Sequence, residues 1–146
     1  MSNGTKVKKR NGSIESLDLD KMHVMVEEAT KNLSGVSASL VEMNSGIQFY
    51  DGITTDEIQQ ILVKSAANLI TLDTPNYQFV AARLLLFGLR KQVYGKRYEH
   101  PHLLAHIKNC VELGVYDRAI LDKYTEEEIA QIGSWIDHDR DLLFTY

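Results

Sequence analysis

Four basic side chains crowd one short stretch near the start of the chain. Lys6, Lys8, Lys9 and Arg10 stand in "TKVKKRNGSIESLDLDKM" with no acid before Glu15, and Lys21 follows shortly after Asp18. Asp18 suits a helix N-cap, so Lys21 falls in the first turn of a predicted helix. Clustered cations beside a helix N-terminus, where backbone N–H groups point outward, make a place for a polyphosphate. Lys91 lies late on a further predicted helix and completes such a cage if that helix packs beneath the basic stretch. No glycine-rich phosphate loop or dinucleotide fingerprint is present. At this level a phosphate site and an ordinary set of solvated charges both remain open.

Other chemistry is thinner. His102, His106 and Cys110 fall at i, i+4 and i+8 on one predicted helix. The first two can chelate zinc, but a ligand two turns on lies about 12 Å along the axis, so no metal site is expected. "DHDRD" at 137–141 offers carboxylates to a hard cation, and a solvated helix end is the plainer reading. Cys110 sits in no reactive-thiol motif and reads as a buried structural thiol. No catalytic constellation is expected.

The elements that position these residues follow from spacing and punctuation. Asn11-Gly12 predicts a two-residue type I′ hairpin turn. Met22, Met25, Val26, Ala29 and Leu33 recur at helical spacing, and Gly35 is expected to end that helix. Ser37 caps a second, shorter helix. "IQFYDGI" predicts a short strand and turn around Phe49, Asp51 and Gly52, a third strand beside the hairpin. Thr54 to Glu57 has capping-box form and opens a third helix. Thr74-Pro75 opens a fourth, which Gly95 stops. Two or three further helices follow, one starting near His100-Pro101 and one at the "TEEE" capping box of Thr125 to Glu128. The expected fold is mainly α: a small hairpin or three-stranded sheet over a four-helix bundle, then the extra helices.

Composition bounds the rest. The chain has 146 residues, 44% hydrophobic and 25% charged, which is that of an ordinary globular domain. No apolar run approaches the roughly 20 residues of a membrane helix, and the polar N-terminus argues against a signal peptide. A lone cysteine excludes an internal disulfide framework and leaves the cytoplasm as default. The net charge of -4 is unevenly spread: residues 1–98 carry 12 Lys/Arg against 10 Asp/Glu, and residues 99–146 carry 4 against 10. That shift predicts a boundary near residue 96, with one domain over 1–95 and a helical segment over 96–146. It also falls short of the basic excess of a nucleic-acid binder.

Together, "VKKRNGSIESLDLDKM", "IQFYDGITTDEI", "AANLI" and "YQFVAARLLLFGLRKQVYG" closely resemble the N-terminal ATP-cone of the large subunit of aerobic class I ribonucleotide reductase. "VELGVYDRAILDKYTEEEI" and "DHDRDLLFTY" resemble the helical stretch that leads on towards the catalytic barrel, so the likeness covers essentially the whole chain. It implies a regulatory domain that binds ATP or dATP, with Mg²⁺, as allosteric effector of deoxyribonucleotide synthesis.

By this resemblance Lys9, Arg10, Lys21 and Lys91 match phosphate-contacting positions. Val7, Leu17, Met22 and Phe87 match those around base and sugar. Glu15 and Asp18 match those that read the adenine, Thr55 a phosphate-side hydroxyl, and Gln59 a position near the phosphates. Asp18 stands where bacterial relatives often have Asn, and a carboxylate accepts but cannot donate to a ring nitrogen. Gln59 stands where many have His, which removes a potential cation. Both departures imply a cone that discriminates ATP poorly from dATP. The family's catalytic cysteines lie in its barrel and tail, and Cys110 matches none. The resemblance therefore implies two partners, a polypeptide carrying the barrel and the radical-generating small subunit, with no nucleic acid and no membrane. The apolar "LLFTY" end favours such a partner. The alternative is a degenerate cone with a purely structural role in a split large subunit.

Overall fold

A computed structural model describes residues 4–146. Val7, at the centre of β1 (Lys6–Lys8), is buried, and its strand is the middle of a three-stranded sheet. β2 (Ile14–Ser16) pairs antiparallel with it, placing Val7 opposite Glu15. β3 (Ile53–Thr54) pairs parallel, with Ile53 beside Val7. The third strand thus lies beside the hairpin, although it starts after the Phe49–Gly52 stretch. Those residues form the turn before it: Gly52 has φ +88° and donates to the Lys6 carbonyl, and the Lys6 N–H donates to Asp51 Oδ1 at 2.7 Å.

The hairpin turn is longer than the expected two-residue type. Lys8 pairs with Ile14, the Gly12 N–H returns to the Lys9 carbonyl at 2.9 Å, and only Gly12 of the Asn-Gly pair has positive φ. Asn11 Oδ1 accepts from both the N–H and the hydroxyl of Ser13, so Asn11 serves the turn through its side chain instead. One consequence is that Lys9 and Arg10 belong to the turn, whose base the Lys9 N–H closes by donating to the Ser13 carbonyl at 2.8 Å.

Four helices follow: α1 (Leu19–Thr30), α2 (Ala38–Gly46), α3 (Thr55–Ala67) and α4 (Tyr77–Tyr94). The expected caps at Asp18, Ser37 and Thr54 are in place, the last as a full capping box with Glu57. α1 stops short of Leu33 and Gly35. Buried Arg83 on α4 sends Nη1 to the carbonyls of Ala29 (3.3 Å) and Lys31 (2.8 Å), and Asn32 reverses the chain at φ +60°. A guanidinium thus satisfies the carbonyls that another turn would have used, and it suits the negative end of the helix dipole. α4 begins at Tyr77, with Pro75 in a preceding turn whose carbonyl accepts from Gln78. Gly95, at φ +77°, follows its end as expected.

The chain divides into two compact units, one running to Leu89 and rejoined by Leu142–Tyr146, the other Arg90–Asp141. The division falls inside α4, ahead of the composition shift near residue 96. In the first unit Val26, Val41, Ile53, Leu62, Val80 and Leu84 are fully enclosed, and the whole cluster joins the sheet to α1–α4. The tail returns through the Tyr146 N–H, which donates to the Gln78 carbonyl. Its Leu143 and Phe144 stay largely exposed. The second unit holds α5 (Leu103–Glu112), α6 (Ala119–Lys123), α7 (Glu126–Ser134) and a short 3₁₀ helix (His138–Leu143) that runs on into the tail. Gly133 lets α7 approach α5 closely, since a Cβ there would meet Leu103 Cβ at 2.9 Å. No described helix is long and apolar enough to cross a membrane.

Candidate functional site

Three of the basic residues, Lys9 and Arg10 of the hairpin and Lys21 of α1, each rest on a carboxylate, while Lys6 Nζ meets Ser16 Oγ at 3.4 Å. Lys9 Nζ lies 2.7 Å from Glu15 Oε2 across the hairpin. Arg10 sends Nε (3.0 Å) and Nη2 (2.7 Å) to Asp56 Oδ1 in the first turn of α3. Asp18 caps α1 by accepting the Lys21 N–H at 3.1 Å, and Lys21 Nζ stands 3.6 Å from its other oxygen. That N–H is the main reason the Asp18 carboxyl is held below its ordinary value, with the Lys21 charge adding to it. All six side chains are 40% or more exposed, which leaves each pair open to exchange with a competing anion.

At the start of α3 the roles of the two threonines separate. Thr54 is the N-cap, its hydroxyl accepting the Glu57 N–H and donating to Glu57 Oε2 at 2.8 Å. Tyr50 donates its hydroxyl to Glu57 Oε1 at 2.8 Å. The Thr54 N–H first, then the Tyr50 and Thr54 hydroxyls, pull the Glu57 carboxyl below the usual range, while the same contact pushes the Tyr50 phenol up. Thr55 occupies the first helical position, half-buried, one residue from the Arg10 partner Asp56.

Gln59 is engaged inside the fold. Its Nε2 donates to the Leu84 carbonyl at 2.5 Å, and a Cβ added at Gly88 would sit 2.9 Å from its Cγ. Gln59 therefore acts as a spacer where α3 passes α4, and Gly88 is the residue that admits it.

Of the apolar candidates, Val7, Met22 and Phe87 are members of the first unit's core, and Leu17 packs against it. Lys91 belongs to the second unit, where its Nζ caps the end of α4 through the Gly95 carbonyl at 2.9 Å. Sequence reasoning missed the Arg10–Asp56 pair. Asp56 reads in the sequence only as part of a helix start, and nothing local connects it to an arginine 46 positions away.

Taken together, the hairpin turn and the first turn of α1 offer three exposed cations, Lys9, Arg10 and Lys21, each on a carboxylate, one of these from the first turn of α3. A family model described as ATP cone domain matches residues 5–92. The chain is 49% identical over all 146 residues to ribonucleoside-diphosphate reductase 1 subunit alpha of Escherichia coli, strain K12. It is 45% identical over the same length to the subunit alpha of Haemophilus influenzae. The alpha subunit of Enterobacteria phage T4 is 44% identical over 140 residues, 94% of this chain and 18% of its own. The chain spans about a fifth of the length of the curated relatives it matches (19% of the Escherichia coli subunit). On the extent of the family match, which takes in the sheet, α1–α3 and all but the last two residues of α4, the chain belongs to the ATP-cone family.

Proposed function

We propose that the first unit binds ATP or dATP, with Mg²⁺, as an allosteric effector of a cytoplasmic ribonucleoside-diphosphate reductase that makes deoxyribonucleotides for DNA replication. In this reading the chain contributes regulation, while a barrel-bearing large-subunit polypeptide and a radical-generating small subunit supply the chemistry. The observation that carries it is the set of three pairs Lys9–Glu15, Arg10–Asp56 and Lys21–Asp18 around the hairpin. An entering triphosphate replaces the carboxylates as partner of Lys9, Arg10 and Lys21. Glu15 and Asp18, once released, become acceptors for the adenine amino group. Val7, Leu17, Met22 and Phe87 supply the apolar side of the base and sugar. Thr55 adds a hydroxyl at the start of α3, Gln59 lies one turn further on, and Lys91 is the remaining phosphate cation.

Calorimetric titration of the chain with ATP and then dATP, each with Mg²⁺, tests the reading. Joint replacement Lys9→Ala and Lys91→Ala is expected to abolish triphosphate binding with helical content unchanged. Undiminished affinity in that double variant overturns the site assignment. With Asp18 and Gln59 in place, ATP and dATP are expected to bind with similar affinity.

Gln59 favours a second reading, a cone kept for structure, because its amide is spent on the Leu84 carbonyl between α3 and α4. Absence of any nucleotide heat in the unsubstituted chain decides for it.

A further inference from the structure

We propose that His100, His138 and Asp141 form a binding site for a borderline divalent transition-metal ion, zinc first, with its remaining coordination positions left to water. Each of the three offers one ligand atom, and these atoms all lie within 4.8 Å of one another. All three residues belong to the second unit, and the site is independent of the nucleotide reading.

The backbone explains the convergence. His100 precedes Pro101, whose ring holds the preceding residue extended and so fixes where the imidazole starts. His138 and Asp141 stand three apart in the 3₁₀ helix, which has three residues per turn and so sets i and i+3 on one side. The two imidazoles stack with centroids 3.7 Å apart and planes 13° off parallel. His100 Nε2 lies 3.9 Å from Asp141 Oδ2. Ligands about 2.0–2.2 Å from a tetrahedral ion stand about 3.3–3.6 Å from each other. Closing on the ion needs a shift of about 1 Å and a tilt of the stacked rings, within reach of side-chain torsions.

The donor set selects the class of ion. Two imidazoles with one carboxylate suit zinc and its neighbours, whereas calcium and magnesium want oxygen ligands. Arg90 Nη2 holds Asp141 Oδ2 at 3.1 Å, as outer-shell donors orient ligating carboxylates. Its charge has the same sign as the ion's, so the affinity falls below that of all-thiolate structural zinc sites.

A rival lies on α5, where Cys110 Sγ is 3.5 Å from His106 Nε2. The test separates the two. The whole chain is titrated with Zn²⁺ in a non-chelating buffer, with Mg²⁺ as control, and then with Co²⁺ for its visible and near-ultraviolet spectrum. One Zn²⁺ per chain is expected, with no Mg²⁺ uptake and no thiolate-to-cobalt charge transfer. His138→Ala should weaken Zn²⁺ at least about tenfold, and His102→Ala should leave it unchanged. In the unsubstituted chain, ring-proton NMR signals of His100 and His138 should shift together on Zn²⁺ addition, a readout independent of any variant's folding. No uptake by the unsubstituted chain, uptake that survives His138→Ala, or a charge-transfer band lost in Cys110→Ser each overturns the proposal.

Discussion

Helices α3 and α7 open with the same four-residue device, yet the units around them bury very different amounts. In the first unit the capping box of Thr54 and Glu57 introduces a helix whose Leu62 and Ala66 are completely enclosed. In the second, the box of Thr125 and Glu128 introduces a helix with one buried residue, Ile129. The remaining buried apolar side chains of that unit are Ile107 and Cys110, while Leu113, Val115 and Trp135 stand mostly in solvent. The contrast separates two causes. A cap decides where a helix begins from a few local atoms, whereas what the helix contributes to stability depends on the cover its apolar face finds.

The largest effect is expected in the cores. Leu62→Ala should destabilise the first unit by about 2–5 kcal/mol, because an enclosed site collapses little around the cavity. Ile129→Ala should cost the second unit about 2 kcal/mol, the low end of that range, since its thinner surroundings can close in. Native-state hydrogen exchange reads the two units separately. Equal losses would show that the second core is as closely packed as the first, and the contrast would fail.

The caps give a smaller and sharper comparison. Thr54→Ala removes a hydroxyl that serves a partly buried box, whose Glu57 also receives the Tyr50 hydroxyl. Thr125→Ala removes one from an exposed box. Losses of about 1–2 and about 0.5–1 kcal/mol are expected, measured by chemical denaturation with helix-resolved exchange. A larger loss at Thr125 would mean that local capping matters most where tertiary cover is thin.

These differences also explain what was legible in the sequence. Caps and stops at Asp18, Ser37, Thr54, Gly95 and Thr125 depend on neighbours within a few positions, and all could be read. The end of α1 could not, because it is settled by Arg83, more than fifty positions away. The turn type was misread because Asn11 spends its side chain on Ser13, an option that Asn-Gly alone does not reveal. In the candidate site, helical spacing marked Met22 as core-facing, and the run of cations at Lys9 and Arg10 was plain. That Arg10 reaches Asp56, and that Gln59 serves the gap beside Gly88, are facts of packing between elements. The histidines follow the same rule. Spacing drew attention to His102, His106 and Cys110 on one helix, while His100 meets His138 and Asp141 only through the fold.

The smallest expected effect is a pH dependence confined to the first unit's α1–α2 contact. His23 on α1 has Nδ1 2.7 Å from Glu42 Oε1 on α2 and Nε2 3.0 Å from Glu27 Oε1 on its own helix. Only the imidazolium donates from both nitrogens, so the two contacts are both made as hydrogen bonds only when the ring is charged. The hydrogen bond to Glu42, then its charge and that of Glu27, raise His23 above its ordinary value of 6.5. A folded-state value raised in this way stabilises fully below about pH 6.5, and that stability is lost as pH rises through the raised value. Amide exchange across α1 and α2 should therefore quicken over that window after correction for intrinsic rates, while α3 stays level. His23→Gln should flatten the profile, because a neutral amide keeps a donor for Glu42 without titrating. His23 and Glu27 are exposed and screened by solvent, which keeps the effect below those of the caps. A wild-type profile as flat as the variant's would show that α1 and α2 are held by Val26, Ala29 and Val41 alone, and that charge adds nothing where the core is already closed.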